Sequence, residues 1–474
     1  MVARKTLLGT KIRRLRQDRG LTQAQAAERL GISPSYLNLI EHDERSVTVS
    51  LLLKLGQTFG VDLQELSGDA ERRLAAGLRE VFADVSLSGH EVDAVEIDRL
   101  VTSSPKAARA VIDLYRGWRA AREDAQALTL GLPSGTTRRV VLPAEEARDF
   151  FESRANYFAE IEDTAESTRR NATIGDDLQR ALTDHLRLRH GTNVEIAAQA
   201  AMAGALRRFD PKARLLQLSE VLPPTSRRFH IAYQLALLEA RGAMDRAIAA
   251  AKLASPDSET LCRVGLANYF AGAVLMPYEP FLAAARELRY DIETLMHRFS
   301  VSFEQVCHRL STLQRPADRG VPFFFVRIDI AGNVTKRFSA AGFHLSRFGG
   351  SCPRWVTHEA FLTPGLLRTQ ISRLPDGATF FCLARTVERP GGSFHAPASR
   401  HAIGIGCALG DARSLVYADG LDLERLQAVT EIGIGCRLCE RADCRQRAFP
   451  PLQHRLVVDE TVKGPSAYSF DSRR

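Results

Sequence analysis

The sequence predicts a chain that is mainly α-helical over its N-terminal two-thirds and α+β over the remainder. Three observations carry that reading. Apolar residues recur at helical spacing as far as Leu313, beginning with Leu8, Ile12 and Leu15. The texture changes at Gln314, Arg315 and Pro316: Val321–Asp329 then reads as a strand, with Ala331, Gly332 and Asn333 as the turn of a hairpin. Near the C-terminal end the pentapeptide Ile-Gly-Ile-Gly-Cys stands twice, at 403–407 and at 432–436.

Length and charge narrow the class. At 474 residues the chain exceeds what one hydrophobic core holds. Four segments are expected: 1–70, 71–132, 133–315 and 316–474. The net charge of +8 and pI near 9.2 point to nucleic acid or another anionic partner. No apolar run reaches the roughly 18 residues of a membrane span, and Met1–Gly9 holds no signal-peptide core. Eight cysteines in so long a chain do not make a disulfide scaffold. A cytoplasmic protein with thiols reserved for a metal is the simpler expectation.

Residues 1–70 read as five short helices. Arg4, Lys5, Lys11, Arg13, Arg14, Arg16 and Arg19 face a single acid, Asp18, before Leu21. Thr22 is a good N-cap, Ala26 and Ala27 are small where helices cross, and Gly31 suits a left-handed turn. Ser33 followed by Pro34 opens the next helix. This is helix-turn-helix spacing. The second helix, Pro34–Glu41, would enter a major groove of double-stranded DNA, with Ser35, Tyr36 and Asn38 pointing outwards. Arg13, Gln23 and Arg45 should meet phosphate, and Ser33 is a further DNA-binding candidate. The bland alternative is a helical bundle with a solvated basic face. The stretch "LTQAQAAERLGISPSYLNLIEHDER" resembles the Cro/repressor-type (XRE) family. It departs where His42 and Asp43 follow Glu41, a place at which the family usually has glycine. Such modules bind paired half-sites as dimers, so a homodimer is expected.

From Gly68 to Gly131 two or three helices are expected, one starting at Ser104-Pro105 and offering a plausible dimer surface. Leu132-Pro133-Ser134-Gly135 reads as a linker. Helical periodicity resumes from Pro143 to Leu313, with a short strand pair around 213–218. Within it, Arg227–Leu238 resembles the helix of ImmA/IrrE-type peptidases that carries H-E-x-x-H. The ligands do not carry over: Tyr233 and Leu237 stand at the histidine positions and Gln234 at the general-base position. A zinc peptidase needs two imidazoles one helical turn apart and a carboxylate to activate water. The segment therefore reads as peptidase-shaped without peptidase chemistry, and no catalytic residue is assigned.

The last segment should hold strands at Thr379–Arg385 and Ala402–Ala408 and a short helix near Pro364–Ser372. Its chemistry lies in Cys436, Cys439 and Cys444, spaced C-x2-C-x4-C. Three close thiolates can converge on one metal centre; Cys407 is the expected fourth ligand, with Cys352 in reserve. Three close cysteines and a distant one resemble an iron–sulfur pattern more than two zinc knuckles, though zinc remains open. Basic residues alternate with flat rings here. His344, Arg347 and Trp355 are candidates to receive a phosphorylated ligand, unless these arginines only neutralise the metal site or sit in solvent.

From head to tail the chain resembles the short-chain fatty-acyl-responsive regulators of actinobacteria, of the RamB and PrpR types. The residues that carry this are "GGSCPRWVTHEAF", "LVYADGLD" and "IGIGCRLCERADCRQRAFPPL". The resemblance, closer to the acetate branch, implies transcriptional control of acetate or propionate metabolism through the glyoxylate or methylcitrate pathways. It also implies an acyl-CoA or CoA effector and a C-terminal iron–sulfur cluster, of the 4Fe–4S kind. The alternatives are a metallopeptidase with a DNA-binding head and a regulator with purely structural zinc.

Overall fold

A computed structural model describes residues 8–42, 44–45, 47, 51, 54–55, 58, 69–83, 92–129, 143–172, 177–343, 351–389, 391–392, 395, 397–423, 429–436, 439, 441–450, 456–457, 461 and 466. The chain divides into two compact units, one within Met1–Thr137 and the other within Arg138–Pro450 and Leu456–Arg474. The linker expected at 132–135 lies outside the described residues, as does the ligand pair His344 and Arg347.

In the first unit, α1 (Leu8–Asp18), α2 (Gln23–Leu30) and α3 (Pro34–Glu41) pack around Ile12, Ala26, Ala27, Leu30, Leu37 and Ile40. The caps behave as their chemistry requires. Thr22 and Gln25 form a reciprocal capping box, Gly31 takes φ +64°, and the Ser33 hydroxyl accepts from the Tyr36 N–H at 3.1 Å. The last two of the five helices expected in 1–70 fall largely outside the described residues, and beyond them come α4 (Asp69–Phe82), α5 (Ala94–Ser103) and α6 (Pro105–Thr129).

The second unit begins with helices α7 (Pro143–Glu152), α8 (Ala159–Asn171) and α9 (Leu178–His190). A three-stranded sheet comes next: β1 (Asn193–Ala197), β2 (Arg207–Asp210) and β3 (Leu215–Ser219), in the order β1-β3-β2. The expected strand pair near 213–218 is thus larger, because β1 joins β3 in parallel. Its Asn-Val-Glu-Ile alternation is too short to stand out beside helical neighbours. Helices α10 (Pro224–Glu239), α11 (Arg241–Ala249), α12 (Pro256–Leu275), α13 (Tyr278–Glu287), α14 (Ile292–Phe299) and α15 (Phe303–Leu310) complete this layer. Its centre holds a bidentate pair, Arg309 to Glu162 at 2.6 and 2.9 Å, both side chains 1% exposed.

Beyond a two-residue hairpin of β4 (Gln314–Arg315) and β5 (Asp318–Arg319) lies a six-stranded sheet. Its strands are β6 (Phe324–Asp329), β7 (Val334–Ser339), β8 (Arg368–Arg373), β9 (Thr379–Arg389), β10 (Ser399–Ala408) and β11 (Val429–Glu431), in the order β11-β8-β9-β10-β6-β7. The β6–β7 hairpin turns where expected, with Gly332 at φ +83°. The helix expected near 364–372 is instead a turn leading into β8; the helical turn falls earlier, at α16 (Val356–Glu359).

The sheet is covered on both faces, which decides where its side chains go. Successive residues of a strand point to opposite faces. Ile403, Ile405 and Cys407 join Phe381 and Leu383 in the core shared with the helices. Phe324, Val326, Cys382 and Ala384 face a second core with Phe343, Cys352, Trp355 and Ile432.

Candidate metal centre and nucleic-acid interface

The thiol site is built on β8, the strand next to the sheet edge. Its partner β11 runs parallel to it, with Glu431 opposite Arg373, and the Ile432 N–H donates to the Arg373 carbonyl at 3.0 Å. That places the loop carrying Cys436, Cys439 and Cys444. The segment carrying Cys352 is tied to the same strand: Gln370 Nε2 donates to the Arg354 carbonyl at 3.1 Å, and Gln370 Oε1 accepts from the Val356 N–H at 3.1 Å.

Cys352, Cys436, Cys439 and Cys444 line one cavity together with Arg354, Gly433, Gly435, Arg441 and Arg447. Cys436 is half-buried and the other three thiols are buried. Among the described residues, no three of these thiols stand within 4.8 Å of one another. Burial pushes the Cys352 thiol up, against the pull of the Gly433 and Arg354 N–H groups aimed at it. Burial likewise raises Cys439, opposed by the Arg441 N–H and the Arg447 and Arg441 charges. Those donors and charges would stabilise thiolates. The donor set fits a thiolate-bound metal group, because a bound cation overrides the burial cost and holds the sulfurs deprotonated. Gly433 fits as well, since a Cβ there would lie 2.8 Å from Cys439 Sγ.

Cys407 does not join this group. Strand alternation turns it onto the helix-facing side of β10, fully buried, whereas Cys352 and Ile432 lie in the core on the other side. Burial raises its thiol far above the usual range, as befits a small apolar core residue. The fourth cysteine of the cavity is the reserve, Cys352. Trp355 also departs from expectation. It is 1% exposed and stacks on Phe343 at 5.2 Å, so it serves the core rather than an open ligand cleft.

Arg447, one of the basic residues of this end, has a role that its spacing did not indicate. Its guanidinium donates to the carbonyls of Cys436 at 3.1 Å, Cys439 at 2.9 Å and Arg441 at 2.5 Å. One planar fork thus holds the loop's backbone around the cavity. Arg441 plays a similar part, donating to the Ile432 carbonyl at 3.3 Å and the Arg373 carbonyl at 3.0 Å.

In the head, Ser33, Ser35 and Asn38 are exposed along α3, as are Arg13 on α1 and Arg45 beyond α3; Tyr36 is half-buried against the core. Gln23 is more committed than expected. Its Nε2 donates to Asn38 Oδ1 at 3.0 Å and Glu41 Oε2 at 2.9 Å. Arg16 grips the same buried Glu41 carboxylate at 2.7 and 2.9 Å. Burial works to raise the Glu41 carboxyl, but Arg16 and Gln23 together hold it below its ordinary value. These contacts brace α1 and α2 against α3 and set the pose of the exposed residues.

The peptidase-like position carries a cation of its own. Gln234 is buried and accepts from Arg207 at 2.5 Å, and the Arg207 guanidinium lies 4.6 Å from the Tyr233 ring centre. Burial and the nearby Arg207 and Arg389 charges press His230 down to about 4. These residues do not fit a catalytic zinc ion.

Three family models match parts of the chain. Residues 12–66 match the helix-turn-helix family model, 187–311 the IrrE N-terminal-like domain, and 312–468 the C-terminal domain of short-chain fatty acyl coenzyme A regulators. The HTH-type transcriptional regulator RamB of Mycobacterium tuberculosis is 43% identical over 98% of both chains. PrpR of the same organism is 42% identical over 98% of this chain and 96% of its own. A solved Mycobacterium tuberculosis transcriptional regulator, 43% identical, matches with TM-score 0.66 over 69% of this chain and all of its own. The chain belongs to the helix-turn-helix transcriptional regulators of the RamB and PrpR type.

Proposed function

We propose that this regulator controls genes of short-chain fatty acid metabolism, and that its C-terminal domain senses an acyl-CoA, redox state or both through an iron–sulfur cluster. Cys352, Cys436, Cys439 and Cys444 would hold the cluster. The observation that carries this is the gathering of those four thiols, with Arg441 and Arg447, in the segment that matches the acyl coenzyme A regulator family. Three close cysteines and a distant one favour iron and sulfide over one zinc ion, which more often sits on two short cysteine knuckles.

The cluster supplies a redox-sensitive anionic centre. The chain's own part is to anchor both thiol segments on β8 and to spread the charge onto two arginines and several N–H groups. A regulator must bind its effector differently in its DNA-competent and incompetent states. The test is one anaerobic preparation of the full chain, assayed for iron, sulfide and zinc. The same preparation is then titrated against its own promoter with CoA, acetyl-CoA and propionyl-CoA. Iron with sulfide and an effector-dependent change in DNA affinity support the reading. Zinc alone, with affinity unchanged by every effector, removes it.

A further inference from the structure

A second group of metal-type ligands stands apart from the thiols. His185 and His190 lie on α9, and Glu239 is the last residue of α10. Both imidazole Nε2 atoms lie 2.7 Å from the same oxygen, Glu239 Oε1. The three ligand atoms fall within 4.8 Å of one another, the one such trio among the described residues. The Thr168 hydroxyl, from α8, donates to Glu239 Oε2, which leaves Oε1 turned to the two rings. His185 is buried, whereas the His190 side chain is 19% exposed, so the group opens to solvent on that side.

Two arguments favour a cation at this point. His190 is the C-terminal residue of its helix, ahead of the left-handed cap Gly191. Helix C-termini carry partial negative charge and favour cations. Two imidazoles and a carboxylate are also the donor set that zinc-class ions prefer. Bonds of about 2.1 Å to nitrogen and oxygen imply edges near 3.4 Å, so each imidazole need move back by well under 1 Å to admit an ion. The neighbouring Arg189 lies 3.7 Å from Oε1 but is 56% exposed, and its guanidinium can turn into water.

We propose that His185, His190 and Glu239 bind one divalent transition-metal ion of the zinc class, with Thr168 as a positioning residue. The ion pins α8, α9 and α10 together. It is separate from the peptidase-type position, where Arg207 and Gln234 are already paired.

The test uses the full chain, stripped by chelator and then loaded with cobalt or zinc alone. Wild type should take up one ion whose visible spectrum lacks the thiolate-to-cobalt charge-transfer band. That ion should persist in Cys439→Ser and vanish in His190→Gln. Thr168→Val should weaken it roughly 10- to 100-fold, the usual effect of losing an outer-shell partner. In the Cys439→Ser background, zinc should raise the thermal midpoint, and adding His190→Gln should remove that rise. Glu239→Gln keeps an acceptor for both rings and gives the same readouts should His190→Gln fold poorly. Equal cobalt uptake by wild type and both variants, or no uptake outside the thiols, overturns the proposal.

Discussion

The two Ile-Gly-Ile-Gly-Cys copies share every residue type and end in unlike places. The copy at 403–407 is the middle of a central strand, hydrogen-bonded to β6 on one side and β9 on the other. Its glycines make room for neighbours. A Cβ on Gly406 would lie 2.5 Å from the Phe381 carbonyl oxygen and 2.6 Å from the Phe324 ring, and one on Gly404 would lie 2.7 Å from Val326 and Thr357. The copy at 432–436 leaves the edge strand β11 as a loop, and its first glycine makes room for a sulfur. The same five residues thus serve packing in one place and thiol gathering in the other. What differs is the partner available: a strand on each side in the first case, a sheet edge and two arginines in the second.

The largest effect that would break this comparison concerns the cysteines. Cys352→Ser and Cys439→Ser should each abolish cluster colour in anaerobically purified protein. Cys407→Ala should keep it and cost only about 1–2 kcal/mol of stability, the price of a small core truncation. Colour lost in Cys407→Ala, with the fold intact by circular dichroism, would reverse the assignment of the two copies.

The glycines come next. Gly406→Ala overfills a packed strand pair and should destabilise by about 1–3 kcal/mol, read as a lower thermal midpoint. Gly433→Ala would press on Cys439 Sγ at 2.8 Å and Cβ at 2.9 Å, so it should reduce iron content and lower the apo protein's midpoint as well. Gly410, where a Cβ meets nothing within 4 Å, is the control and should tolerate alanine on both readouts.

Arg447→Lys sharpens the picture of the loop. Lysine has no planar fork, so at least one buried carbonyl loses its donor at a cost of about 1–3 kcal/mol. Faster cluster loss in air than in wild type is the expected measurement. The smallest effect is chemical. Burial raises the Cys407 thiol, so its thiolate fraction at any given pH is lower than that of an ordinary cysteine. In folded apo protein, half-buried Cys436 should be alkylated while fully buried Cys407 stays unlabelled. Mass spectrometry of the labelled peptides decides it.

Much of this molecule was legible in its residues alone. Thr22, Gly31, Ser33 and Pro34 specify caps and a turn through contacts within a few residues, so the helix-turn-helix head could be read directly. The loss of peptidase ligands at Tyr233, Gln234 and Leu237 was equally plain, because metal chemistry depends on residue type. Spacing also brought Cys436, Cys439 and Cys444 together, since a short loop limits how far they can stray.

The choice between Cys352 and Cys407 depended on which face of a sheet each sulfur meets. That follows from strand order and register, which pair residues far apart in the chain. Arg447 reaching several carbonyls of its loop, Arg207 filling the vacant peptidase position, and His185, His190 and Glu239 meeting across two helices are decisions of the same kind. Local chemistry is written in neighbouring residues, whereas the partner across a fold exists only once the backbone has closed around it.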